Sequence, residues 1–172
     1  MGLFIAIEGG DGSGKGTQTK LLVKTLQAQG KDVLQLSFPR YGQESAYFVE
    51  QYLNGKYGPG TVEVEIKDSG IDDVPAELGS LPYALDRFAA RSEIETQLAK
   101  PDGIIISDRY MASNLAHQGA KIDDIDERQV FYDRLMLTEY EILGIQRPDL
   151  NIVLLVPSDI AQANVDKKDA RR

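Results

Sequence analysis

The stretch Leu3-Phe4-Ile5-Ala6-Ile7-Glu8-Gly9-Gly10-Asp11-Gly12-Ser13-Gly14-Lys15-Gly16-Thr17-Gln18 decides the fold. Leu3 to Ile7 is a continuous apolar run, which reads as a strand covered on both faces. Gly9 to Lys15 fits the spacing G-x-x-x-x-G-K, directly after that strand and directly before a helical pattern with Leu21, Leu22 and Leu26 on one face. That is the context a phosphate-binding loop requires. Glycines let successive backbone N–H groups converge on phosphate oxygens, and the helix N-terminus adds partial positive charge. Gly9, Gly10, Asp11, Gly12, Ser13, Gly14, Lys15, Gly16 and Thr17 are therefore expected to hold the phosphates of ATP, with Lys15 bridging the β and γ groups. Residue 16 is Gly where the common pattern has a Mg²⁺-ligating Ser or Thr. The hydroxyl arrives one place later, at Thr17, a candidate Mg²⁺ ligand or phosphate contact.

Downstream, Gly30 reads as the C-cap of the first helix. A second strand, Val33 to Phe38, runs into the turn Pro39-Arg40-Tyr41-Gly42. A helix with Ala46, Val49 and Leu53 at helical spacing ends near Asn54-Gly55. Residues 56–75 read as a surface excursion: a turn at Gly58-Pro59-Gly60, an alternating strand from Thr61 to Ile66 and an acidic loop from Asp68 to Asp73. A long helix is expected from Leu78 or Pro82 to Ala99, with Leu81, Leu85, Phe88 and Leu98 facing inward. Pro101-Asp102-Gly103 turns into a third strand, Ile104 to Ile106. Asp124 with Glu127 forms a capping box that opens a helix to about Gly144. Leu150 to Val156 is a fourth strand, and Ser158 caps a final helix that reaches Arg172 without a stop signal. Strands alternating with helices predict one three-layer α/β/α domain over residues 1–172, built on a parallel sheet. The last pattern stops mid-element, so a C-terminal piece is expected beyond it.

At 172 residues, with 42% hydrophobic and 27% charged, the chain has the balance of a soluble globular domain. A net charge of −8 disfavours binding to a nucleic-acid polymer but leaves room for a local basic cluster around a small anion. With no cysteine, disulfides and thiolate metal sites are excluded. Apolar runs such as Ile152 to Val156 are too short to span a bilayer, and Met1 to Glu8 has no basic leader. No membrane association is expected, and the cytoplasm is the expected location.

The third strand runs on into Ser107-Asp108-Arg109-Tyr110. In an open parallel sheet the carboxyl ends of the strands are where ligands bind. Asp108 is thus a candidate to hold Mg²⁺ through water, and Arg109 to grip a phosphate with a bidentate fork. Tyr83 and Arg87 lie one helical turn apart, on one helix face, and suggest a base pocket.

Together these pieces resemble the thymidylate kinase family: Ile7 to Gln18, Phe38-Pro39-Arg40-Tyr41-Gly42, Tyr83-Ala84-Leu85-Asp86-Arg87, and Asp108-Arg109-Tyr110 with Ser113-Asn114. The resemblance covers nearly the whole chain except 56–75. It implies a P-loop NTPase fold of strand order 2-3-1-4, with a fifth strand beyond this chain, and ATP- and Mg²⁺-dependent phosphorylation of thymidine monophosphate. By the same resemblance Asp11 would approach the acceptor's sugar and phosphate. Phe38, Arg40 and Tyr41 would line the acceptor site, Arg109 would bind the acceptor phosphate, and Arg87, Asn114 and Gln118 would contact the base. Lys15, Arg109, Arg40 and Asp11 are the expected catalytic residues. Tyr83 stands where the family stacks a Phe on thymine, and its ring keeps a π face. His117 stands where many members have a Tyr below the deoxyribose. Because the loop has no basic residue before Lys15, the resemblance implies a catalytic lid near the C-terminus, beginning at 165–172 with Lys167, Lys168, Arg171 and Arg172. It also implies a homodimer formed by packing of the long helices.

Two other readings share the loop: a P-loop kinase for a different nucleoside or nucleoside monophosphate, and a nucleotide-binding switch. An unphosphorylated acceptor needs no anion clamp, so Arg40 with Arg109 argues against the deoxynucleoside case. The switch would have no use for the pocket suggested by Tyr83 and Arg87.

Overall fold

A computed structural model describes residues 2–56 and 73–169. The turn at Gly58-Pro59-Gly60, the strand from Thr61 to Ile66 and most of the acidic loop after it lie outside the described residues, as do Arg171 and Arg172. The chain divides into two compact units: Met1–Ser37, Ser92–Tyr110 and Arg147–Arg172 form the first, and Phe38–Arg91 with Met111–Gln146 form the second.

The first unit holds the sheet. Strands β1 (Leu3–Gly9), β2 (Asp32–Ser37), β3 (Gly103–Asp108) and β4 (Leu150–Leu154) are ordered β2-β3-β1-β4, as expected, and every pairing is parallel. The apolar runs of β1 and β3 are long enough only to fill both faces of a sheet's middle. Phe4, Ala6, Ile105 and Ile106 are fully buried, with Ile7 at 3% exposure. On one face Ile7 and Ile106 pack against Val23, joined by Leu22 and Leu26 of helix α1 (Lys15–Ala28). Val23 replaces the expected Leu21, which is 53% exposed, because a helix lays only a narrow stripe on a sheet. On the other face Phe4 meets Tyr110 edge-on, with ring centroids 4.9 Å apart. Helix α1 ends as expected: Gly30 has φ 79, and Lys31 N–H donates to the Leu26 carbonyl at 3.1 Å, a Schellman closure. Ser37 and Ile7 both stand in register with Asp108, so the carboxyl ends of these three strands share one edge. Helix α7 (Ser158–Asp169) follows β4.

The second unit is helical. Ala46 and Val49 are fully buried as expected, but Tyr52 rather than Leu53 completes the inner face of helix α2 (Tyr47–Leu53). The expected long helix is broken at Ala90 into α3 (Ala76–Ala89) and α4 (Arg91–Leu98), the latter lying almost wholly in the first unit. Its facing also differs. Leu81, Leu85 and Phe88 are 44%, 47% and 42% exposed, while Gly79, Ser80, Ala84, Asp86 and Arg87 are buried. Periodicity alone assigns the apolar stripe to the core. Here the inward face instead carries charges whose partners arrive from distant segments, and that satisfaction is what permits their burial.

Helix α5 (Met111–Gly119) precedes α6 (Ile125–Met136), which continues as a π-helical turn (Leu137–Ile142) and stops before Gly144. Asp124 caps α6, accepting from the backbone N–H groups of Asp126 and Glu127, each at 2.9 Å. Asp124→Ala is expected to lower stability by about 1 kcal/mol in a urea melt, with the slope unchanged; no shift of the midpoint would show that the cap is idle.

Candidate functional site

The phosphate-binding loop links β1 to α1, and its Gly12 (φ 75) has no room for a side chain. A Cβ there would stand 2.0 Å from the carbonyl oxygen of Ala161 on α7. Asn164, also on α7, donates its Nδ2 to the Gly12 carbonyl at 2.9 Å. Lys15 opens α1 with its side chain folded back, Nζ donating to the Gly10 carbonyl at 2.7 Å. Burial of this ammonium, with the nearby Arg109 charge, holds its pKa below the ordinary lysine value despite opposing help from Asp11, Asp108 and Glu8. Ser13 Oγ is buried without a hydrogen-bond partner among the described residues.

Arg109 follows the end of β3 in a left-handed conformation (φ 65), the sole non-glycine among the described residues with positive φ. Its backbone N–H donates to the Ile7 carbonyl at 2.9 Å, and its guanidinium Nη2 pairs with Asp11 Oδ1 of the loop. Asp11 is 78% exposed on its side chain, so this pair adds little stability. The contact to Ile7 and the Ser107 hydroxyl, which donates to the Arg109 carbonyl at 2.5 Å, hold this uncommon conformation at the carboxyl end of β3. Asp108, one residue back, lies beside the start of α1: a Cβ on Gly16 would stand 3.2 Å from its Oδ2. Glu8 was not among the residues expected to act. It is 3% exposed and accepts the Tyr110 backbone N–H at 2.9 Å, tying β1 to the segment after Arg109. Its one visible signal is a lone charge at the end of an apolar strand.

No group of three or more His, Cys, Asp or Glu side chains among the described residues is placed to hold a metal ion. Asp108 offers a carboxylate and the exposed Thr17 a hydroxyl near the loop, and Mg²⁺ commonly takes few protein oxygens of this kind where phosphates and water complete its shell.

The second unit contains the remaining expected residues. The turn after β2 is anchored by Asp86, 1% exposed, which accepts the Arg40 backbone N–H at 2.8 Å and the Ser45 hydroxyl at 2.5 Å. The Arg40 guanidinium reaches Ser45 Oγ at 3.2 Å and lies 3.6 Å from Asp86. Phe38 is buried and Tyr41 is exposed. Tyr83 sets its ring edge-on to Tyr52, with centroids 5.9 Å apart.

Arg87 is buried, and its partner is Glu139, equally buried: Nε donates to Oε2 at 2.6 Å and Nη2 donates to Oε1. Asn114 joins them through its Nδ2. Gln118 is buried with its amide engaged by the Tyr52 hydroxyl, while His117, near the end of α5, is exposed. Glu139 and Asp86 were also missed by sequence reasoning; Glu139 is far along the chain from the residues it holds. A cavity of about 900 Å³ in this unit, lined among others by Val74, Ala76, Lys121, Asp124, Val130 and Arg134, contains none of the expected site residues.

No helix among the described residues is long and apolar enough to cross a membrane. The family model described as thymidylate kinase matches residues 7–172. A thymidylate kinase of Mycobacterium tuberculosis (strain CDC 1551 / Oshkosh) is 31% identical over 164 residues, covering 92% of this chain and 68% of the relative. A thymidylate kinase of Pseudomonas fluorescens is 27% identical over 171 residues, covering 97% of this chain and 70% of the relative. Among solved structures, thymidylate kinase from Candida albicans superposes with a TM-score of 0.68 at 23% identity, covering 99% of this chain and 77% of that one, a likeness of fold.

Proposed function

The chain belongs to the thymidylate kinase family, and on that premise we propose that it transfers the γ-phosphoryl group of ATP to thymidine monophosphate. A phosphate oxygen of the acceptor forms the new P–O bond. The bond between the γ-phosphorus and the bridging oxygen breaks, and its electrons leave with ADP. Such a transfer is chiefly positioning and charge neutralisation, with no covalent enzyme intermediate. The observation that carries this reading is Arg109, held in a strained conformation beside the loop and ion-paired with Asp11.

In this proposal Gly9 to Thr17 cradle the ATP phosphates, and Lys15 exchanges its contact with Gly10 for the β and γ oxygens. Ser13 Oγ, buried without a partner among the described residues, gains one in a phosphate oxygen. Arg109 binds the acceptor phosphate, Arg40 serves the same group, and Asp11 is released from Arg109 towards the acceptor's sugar. Phe38, Tyr41 and Tyr83 supply apolar and aromatic surface to the acceptor, and His117 lies on the sugar side. Arg87, Asn114 and Gln118 serve the base.

Asp108 and Thr17 would hold Mg²⁺, which supplies charge neutralisation on the transferring phosphates. Lys167, exposed on α7, would begin a lid that continues through Lys168, Arg171 and Arg172. We further propose a homodimer, supported by the stripe Leu78, Leu81, Leu85 and Phe88 on α3, between 42% and 50% exposed. A cytoplasmic location and small-molecule substrates alone, without nucleic acid or membrane, complete the proposal.

A coupled ADP-release assay across the common nucleoside monophosphates tests it. Turnover strongest with thymidine monophosphate is expected; ATP hydrolysis indifferent to every monophosphate would replace the kinase with a switch.

Lys15 also gives a pH prediction. Its folded pKa is lowered, so the unfolded chain binds more protons between that value and the ordinary one, and stability rises with pH across that window. Phosphate binding needs the charged form, so nucleotide affinity should fall as pH rises through the lowered value, earlier than for an exposed lysine. At such pH, binding ADP should draw a proton onto Lys15. Calorimetry in buffers of different ionisation enthalpy reads that uptake, and heats independent of the buffer would refute it.

A further inference from the structure

Glu139 is the acceptor around which the polar network of the second unit closes. It is 0% exposed and sits in the π-helical turn Leu137–Ile142, a kind of turn that recurs at functional sites. Its Oε2 accepts from Arg87 Nε at 2.6 Å, and its Oε1 accepts from Arg87 Nη2 and from Asn114 Nδ2, the latter at 3.2 Å. Asn114 Nδ2 also donates to the Ser80 carbonyl at 3.1 Å. A carboxylate and a carbonyl only accept, so the end of the Asn114 side chain that faces both must be its nitrogen. The other end, Oδ1, is then left as a buried acceptor, and it has no hydrogen-bond partner among the described residues. Unmet buried acceptors are uncommon in folded proteins, and a ligand donor is one way to satisfy them.

We infer that Glu139 is a positioning residue for acceptor choice: by taking the Asn114 nitrogen and the Arg87 guanidinium, it leaves Asn114 Oδ1 to accept from the ring imide N–H of a thymine- or uracil-type base. The inference rests on the proposed kinase activity toward a pyrimidine monophosphate and on Asn114 as the base contact proposed above, and adds the residue that orients the Asn114 amide. Cytosine presents a ring acceptor where thymine presents N–H, and two acceptors face to face exclude it, the asymmetry by which polar sites discriminate. Glu139, together with the Ser80 carbonyl, sets that polarity without touching the base. A Gln at 139 offers one oxygen and one NH₂, so it cannot accept from both Arg87 nitrogens and from Asn114. Its NH₂ can face Asn114 Nδ2, which leaves the Ser80 carbonyl alone to hold the amide's orientation and weakens it.

The test is steady-state kinetics of the unaltered protein, E139Q and E139D with thymidine, deoxyuridine and deoxycytidine monophosphates, alongside thermal melts. The unaltered protein should prefer the two imide bases, E139D should keep that preference, and E139Q should raise KM for thymidine monophosphate about tenfold and narrow the preference over deoxycytidine monophosphate, with KM for ATP unchanged. A purely structural ion pair would lower the melting temperature and leave the preference of the folded enzyme intact, which would overturn the inference while the kinase activity stands. If the unaltered protein phosphorylates no pyrimidine monophosphate, the activity proposal falls and takes this inference with it. Should E139Q fail to fold, binding of N3-methylthymidine monophosphate to the unaltered protein decides: affinity about tenfold below the parent nucleotide supports the imide contact, and equal affinity overturns it.

Discussion

Replacing Arg109 with Ala is expected to lower kcat about a thousandfold or more while leaving the melting temperature almost unchanged. A guanidinium on a transferring or accepting phosphate neutralises charge where it develops, and water cannot substitute for it in a closed site. The cost to folding is small because the partner, Asp11, is 78% exposed on its side chain. Arg109 also carries a left-handed backbone (φ 65) that glycine adopts freely. Arg109→Gly should therefore be more stable than the parent by about 1 kcal/mol yet just as inactive as the Ala variant. Calorimetric melts and ADP release read the two effects separately. Normal turnover in Arg109→Ala would remove this residue from the mechanism, and a destabilised Gly variant would show that the conformation carries no strain.

The second large effect is expected at Lys15. Lys15→Met should reduce kcat/KM for ATP by about a hundredfold to a thousandfold, since it deletes the ammonium assigned to the β and γ phosphates. The same variant should fold as well as the parent or better. Burial disfavours the Lys15 charge, as its lowered pKa shows, and Met fills similar space without a charge to desolvate. Stability raised and catalysis lost is the expected pairing. Marked destabilisation would mean that the contact with Gly10 is structural.

How much of this was legible beforehand follows from how local each feature is. The phosphate loop, the Gly30 closure and the Asp124 cap are each decided within a few residues, by spacing and by which backbone angles a residue tolerates. All three are found where the sequence puts them. Helix α3 shows the opposite case. Its leucines at helical spacing predict an inward apolar face, but the buried face is the one bearing Asp86 and Arg87. Nothing near those residues announces partners able to make their burial tolerable. Among the candidate site residues, Arg87 and Asn114 were expected as base contacts through family likeness, whereas Glu139, which binds both, was not singled out.

By itself the sequence determined a parallel sheet of strands alternating with helices, a glycine cradle ending at Lys15, and Asp108 and Arg109 at a strand's carboxyl end, while the order β2-β3-β1-β4 was implied by family resemblance. Tertiary structure alone decided that Arg109 turns left-handed towards Asp11, that Asp86 anchors the Arg40 turn, and that Glu139 meets Arg87 across 52 residues of chain. The physical reason is that periodicity and turn chemistry are short-range and survive in the one-dimensional record. A buried charge is tolerable only beside a partner, and chain topology brings that partner from positions that no local pattern specifies.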